Sequence, residues 1–134
     1  MIAAVFRAIP VRLAASLALT LSIAYLSLVP GYPTEDDPAL VRTVALVPSL
    51  LQNAMHCALY ALLTLLWAAV LVRWKRPILW AACFAIGYGV LLEYAQRFVP
   101  GRYPGLLDIG LNTLGVVIGA ALAASLLHDR NRTA

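Results

Sequence analysis

The stretch 91–115, LLEYAQRFVPGRYPGLLDIGLNTLG, decides how the chain is read. It gathers Glu93, Gln96, Arg97, Arg102, Asp108 and Asn112 in a chain of 134 residues that is 63% hydrophobic and only 12% charged. An ordinary soluble domain is about half apolar and about a quarter charged, so polar groups this dense need a reason. Working outward, long apolar runs flank the stretch, and four such segments stand out along the chain: 13–29, 51–72, 78–96 and 106–127. Each is near the roughly 17 to 25 residues that a membrane helix requires. The sequence predicts an all-α integral membrane four-helix bundle, one domain over residues 1–134, with lipid around its outer faces.

Charge supports that reading and sets an expected orientation. The formal net charge of +4 comes from basic residues at the ends of apolar segments, not from a stripe interleaved with aromatics, so no nucleic-acid partner is expected. Seven of them (Arg7, Arg12, Arg73, Lys75, Arg76, Arg130, Arg132) fall on one side of the alternating topology and three (Arg42, Arg97, Arg102) on the other. The positive-inside rule then expects a multi-pass protein of the cell inner (plasma) membrane with both termini cytoplasmic. The first apolar run follows Arg7 and Arg12 as a secretory leader would, but it is long for a leader core. SLVPGYP after it lacks a small-x-small cleavage pattern, so it reads as a retained helix. Cys57 and Cys83 lie toward opposite ends of their helices, out of reach of a disulfide, and read as small packing residues.

Residues 31–50 are too broken by Pro33, Pro38 and Pro48 to span a membrane. Asp37-Pro38 is a candidate helix start, with Asp as N-cap and Pro at the first helical position. Ala39, Leu40, Val41, Val44 and Leu46 would lay that helix in the interface, either as a flap or as a passive connector.

Alternating helix direction brings polar groups of three helices to one level, the end expected to face outward. Residues three, four and seven apart share a helix face. Gln52, His56 and Tyr60 form one stripe, Gly89, Glu93 and Gln96 a second, and Asp108, Asn112, Gly115 and Gly119 a third. Gly115-x-x-x-Gly119 followed by Ala123 is a pattern that lets membrane helices approach closely, so the polar groups share the packing face. Buried charge is expensive in a membrane and is usually paired, and Arg102 is the expected partner of Glu93. Each residue also has a plain structural role open to it: an ion pair fixing the loop for Glu93, a helix cap for Asp108, a core hydrogen bond for His56 and Asn112, packing for Tyr60, and a headgroup anchor for Arg97.

HCALY (56–60), EYAQ (93–96), PGRYPGLLD (100–108) and NTLG (112–115) with Gly119 together resemble the VanZ-like family, named for a protein associated with low-level resistance to the glycopeptide teicoplanin. The resemblance covers about Gln52 to Gly119, and the family's polar residues fall on His56, Tyr60, Glu93, Gln96, Arg102, Asp108 and Asn112. Two positions depart from its usual pattern: Gln52-Asn53 stands where Asp-Lys is frequent, and Gly105 where a polar residue is common.

The resemblance implies a cell-envelope membrane protein with a role in teicoplanin tolerance. His56, Glu93 and Asp108 are the candidate catalytic residues, with His56 or Glu93 moving a proton. Tyr60, Gln96, Arg102 and Asn112 are the candidate ligand-binding residues, Arg102 for a phosphate or carboxylate. The expected partners are membrane lipid, a lipid-linked envelope precursor and a second copy of the chain. No HExxH-like spacing and no Ser or Cys triad is present, so neither a metal, a cofactor nor a hydrolase nucleophile is expected. Whether the protein is an enzyme is open. The competing classes are a structural or accessory membrane protein, in which the cluster only locks helices together, and a proton-coupled small transporter, for which no inverted repeat is evident.

Overall fold

The computed structural model describes residues 9–132, with side chains as far as His128. The helices are α1 (Ile9–Ser27), α2 (Ala39–Ala45), α3 (Ser49–Val70), α4 (Pro77–Gln96) and α5 (Leu106–Arg132), and no strand occurs among the described residues. α1, α3, α4 and the Leu106–His128 part of α5 are long and apolar enough to cross a membrane. The fold is the all-α membrane bundle that the four apolar segments predict.

Local chemistry sets the ends. Pro77 opens α4 in the first turn, where its missing N–H would have had no partner. Beyond Gln96 the chain tightens: Arg97, Phe98 and Val99 N–H groups bond three residues back at 3.2, 3.0 and 3.0 Å, until Pro100 stops the helix. Gly101 follows with φ 74°, a left-handed conformation that glycine adopts without steric cost.

α3 is the hub, packing on α1, α4 and, most extensively, α5. Two features of the small residues explain why. Gly115 and Gly119 on α5 are buried, and a Cβ at either would collide with the backbone carbonyls of Cys57 and Ala61 on α3. The small-x-x-x-small pattern therefore does what the sequence expects of it, bringing two backbones into contact. Toward the 71–76 turn the seam continues as a cluster of Ala68, Ala81 and Ala123. Nearer the middle the core is Ile23, Tyr60, Leu63, Ala85, Leu92 and Val116.

α1 joins through polar contacts that its apolar sequence does not advertise. Thr20 accepts from the Trp67 indole through its hydroxyl at 3.2 Å and from the Tyr88 hydroxyl through its carbonyl at 2.6 Å. Ser16, fully buried, returns its own hydroxyl to the Arg12 carbonyl at 2.8 Å. In a membrane, where lipid is as apolar as leucine, such interhelical hydrogen bonds help decide which face turns inward.

Three expectations need correction. Arg12 does not precede the first helix; it lies within α1 on the buried face, and its Nη1 donates to the Ala69 carbonyl at 3.0 Å. The last carbonyls of α3 lack intrahelical donors, and the guanidinium supplies one. Asp37 is not the N-cap of α2, a position held by Pro38 with no side-chain cap bond. Asp37 Oδ2 instead accepts from the Thr34 N–H and hydroxyl at 2.6 and 2.9 Å. Both cysteines are free, and Cys83 is exposed on the outside of the bundle instead of packing within it. Arg7 and the side chains of Arg130 and Arg132, which enter the charge count, lie outside the described residues.

Candidate functional site

The polar stripes of α3, α4 and α5 meet at the end of the bundle that carries the 28–48 and 97–105 loops. Opposite helix directions in consecutive spans put the start of α3, the end of α4 and the start of α5 at one level. His56 Nδ1 and Asn112 Oδ1 stand 2.9 Å apart, joining α3 to α5 across 56 residues of sequence. In the tautomer whose Nδ1–H donates to that amide oxygen, Nε2 is left as an acceptor.

Glu93 is 4% exposed, and its Oε2 accepts from the Gly105 N–H at 3.3 Å. Its carboxyl group lies within electrostatic range of Asp108, His56 and Arg102. Asp108, half-buried in the first turn of α5, sits beside Gly105: a Cβ at residue 105 would be 3.4 Å from Asp108 Oδ2.

The expected ion pair between Glu93 and Arg102 does not form among the described residues. Arg102 turns to the end of α1, its Nε donating to the Val29 carbonyl at 2.8 Å and its Nη2 to the Leu26 carbonyl at 3.3 Å. Gln96 Nε2 donates to the neighbouring Ser27 carbonyl at 3.0 Å. The physical reason is that the last carbonyls of a helix have no intrahelical donors, and inside a membrane no water replaces them. A cationic fork from the 97–105 loop meets that need. The two loops also touch directly, Gly31 N–H donating to the Pro100 carbonyl at 3.0 Å. Gly31 and Gly101 are small enough to allow this, since a Cβ at Gly31 would strike the Gly101 carbonyl.

Behind this cap lies a cleft between α1, α2 and α3 with a volume of about 80 Å³. Its polar wall is Gln52, His56, Tyr60, Gln96 and Arg102, and its apolar wall includes Ile23, Leu26, Met55 and Leu59. Val44 and Val47, from and just after α2, close it over, and Gln52 Nε2 holds that segment by donating to the Val47 carbonyl at 2.7 Å. Tyr60 is 2% exposed, yet its hydroxyl makes no hydrogen bond to any described residue. Its ring lies against Gly89, where a Cβ would stand 3.0 Å from Cε1.

Of the residues singled out in the sequence, His56, Tyr60, Gln96 and Arg102 face this cleft, and Asn112 reaches it through His56. Glu93 and Asp108 gather on the α4–α5 side around Gly105 and do not line it. Sequence reading misses the carbonyls of Leu26, Ser27 and Val29 as partners, the Gly105 N–H, and the part of Val47 in the cover, while Val44 belongs to the helix it offered as a flap or a connector. Main-chain groups leave no mark in the sequence; the one signal open to a sequence reader is that Gln96 and Arg102 are rich in donors. No cluster of three or more His, Cys, Asp or Glu side chains placed to hold a metal ion occurs among the described residues.

No curated protein and no solved structure matches the chain. A family model described as VanZ/LLP1 matches residues 1–128, a span that takes in all four apolar helices and the whole polar end. On that match the chain belongs to the VanZ/LLP1 family, as a multi-pass membrane protein.

Proposed function

We propose that the protein acts at the cell envelope, binding or modifying an envelope ligand at the loop-bearing end of the bundle, and that it contributes in this way to tolerance of the glycopeptide teicoplanin. In this reading that end faces away from the cytoplasm, in keeping with the seven-to-three division of basic residues. Family membership supports the envelope role. The observation that carries the binding role is the cleft itself, where the Tyr60 hydroxyl has no hydrogen-bond partner among the described residues although its residue is 2% exposed. His56 Nε2 is the base nearest that ligand, Asn112 orients the ring, and Glu93 with Asp108 forms the acidic flank.

A second reading has an observation in its favour. Gln96 and Arg102 spend donors on the end of α1, as they would if the cluster were only a lock and a partner protein did the work. Glu93→Gln, Asp108→Ala and Arg102→Ala, compared for folded yield in detergent and for teicoplanin susceptibility of the expressing cells, separate the two. A ligand site predicts increased susceptibility at normal yield for Glu93→Gln and Asp108→Ala. Loss of yield in all three, with susceptibility following yield, replaces it with the lock.

A further inference from the structure

We propose that the cleft holds the headgroup of a hydroxyl-bearing phospholipid, the rest of the lipid remaining in the bilayer. The inference deepens the reading of this end as a ligand site and rests on it. Size comes first. A cavity of about 80 Å³ holds several waters at roughly 10–15 Å³ each, but pockets that enclose a drug-sized ligand run to about 300–1,000 Å³. Only part of a ligand fits, and an amphiphile is the ligand whose remainder has a favourable place to stay beside a membrane helix.

The hydrogen-bonding inventory then selects the headgroup. An arginine has five N–H donors, and Arg102 uses one on Nε and one on Nη2, so both Nη1 hydrogens and the second on Nη2 are unspent. Tyr60 adds an unspent hydroxyl. Four donors on two residues that line one small cleft, the Tyr60 hydroxyl at its Gly89 side, suit a group that only accepts, and a phosphodiester is acceptor-only and charged, the match guanidinium groups make best. Glu93 and Asp108 do not line the cleft; Glu93 lies within electrostatic range of Arg102, His56 and Tyr60, and the Arg102 cation is the group that offsets its charge there.

Gln96 supplies the second element. The Ser27 carbonyl can only accept, so the amide nitrogen must face it, and Oε1 is an acceptor without a partner among the described residues. An acceptor beside four donors fits a headgroup that also carries a hydroxyl. Ile23, Leu26, Met55 and Leu59 then line the path of the first methylenes.

The test is native mass spectrometry of the full chain in detergent, titrated with short-chain phosphatidylglycerol, with phosphatidylcholine of equal chain length, and with inorganic phosphate. One phosphatidylglycerol is expected to bind, phosphatidylcholine several-fold more weakly, and inorganic phosphate is expected not to displace it. Tyr60→Phe removes the hydroxyl without removing any hydrogen bond among the described residues. It is expected to bind phosphatidylglycerol about tenfold more weakly, the worth of one charge-assisted hydrogen bond, with an unchanged thermal melt. Val44→Trp, which fills the cleft from its cover, provides a second variant that leaves the bundle core untouched and is expected to abolish binding. Equal binding of the two lipids, displacement by inorganic phosphate, or full affinity in folded Tyr60→Phe or Val44→Trp overturns the proposal. Specific phosphatidylglycerol binding with unaltered teicoplanin susceptibility sinks the tolerance reading alone, whereas altered susceptibility in site variants without lipid selectivity sinks this inference alone.

Discussion

At the end of the bundle next to the 71–76 turn, α3, α4 and α5 meet through Ala68, Ala81 and Ala123. At the other end the same three helices bring His56, Glu93 and Asn112 together. The first end closes on small side chains, with Leu65, Trp67, Leu71 and Ile78 packed round them. The second stays open enough for a cleft, and keeps its buried polar groups in place with hydrogen bonds. One device is common to both: an arginine donates to the terminal carbonyls of a neighbouring helix, Arg12 to Ala69 of α3 at one end, Arg102 to Leu26 of α1 and Val29 just beyond it at the other. The comparison teaches that rigidity and polarity are separable in this fold. The alanine and glycine seam fixes how the helices lie, so the opposite end can spend its polar groups on something other than packing.

The comparison breaks most severely at the seam. Gly119→Val places a branched side chain against the Ala61 carbonyl, where the obstacle is backbone and cannot swing away. The expected loss is about 3 kcal/mol or more, read as a lowered midpoint of denaturant unfolding in micelles and collapse of the α3–α5 contact. A variant that unfolds like the parent would mean the two helices are not held by close approach.

The cap comes next. Arg102→Gln forfeits two charge-assisted hydrogen bonds to the end of α1 and is expected to lose about 2 kcal/mol, with increased amide exchange confined to the last turn of α1 and the loop after it. An effect spread evenly over all helices would show that Arg102 belongs to the seam's economy and not to a local cap.

The smallest effect is expected in the connecting loop. The Thr34 N–H, and then its hydroxyl, hold the Asp37 carboxyl group below the usual carboxylate range. The stabilisation is present above the ordinary Asp value and is lost as pH falls through the lowered one, because protonation removes the acceptor. Protection of the Thr34 amide should fade only in acid, and Asp37→Asn should make it weak and independent of pH. At neutral pH neither melting nor the cleft should respond.

Most of the fold was legible because the bilayer enforces it: four apolar runs of spanning length have few ways to satisfy their backbones except as helices. The Gly115, Gly119 and Ala123 repeat announced its own role, since only small residues permit such contact. The candidate site was legible at the level of helix faces. Spacing put Gln52, His56 and Tyr60 together on α3 and Asp108 and Asn112 together on α5 at the same level; the meeting of His56 with Asn112 is seen only in the structure.

What spacing could not show was the choice among partners. Glu93 and Arg102 have opposite charge and lie nine positions apart in sequence, which suggested a pair. The stronger demand came from unsatisfied carbonyls at the end of α1, invisible in any side-chain alphabet. Likewise Ser16 and Thr20 read as minor interruptions of an apolar run, although Thr20 accepts from both Trp67 and Tyr88.

The cap on α1 bears on how the protein is made. The donors that finish α1 lie 69 to 76 positions downstream of the carbonyls they serve, beyond two further spans. A nascent chain emerging from the ribosome inserts its first span long before Gln96 and Arg102 are translated, so that span waits in the translocon or lipid with its trailing turn unfinished. Folding then closes with a clasp: the loop after α4 fastens onto α1, and no chain that stops short of Arg102 can make it.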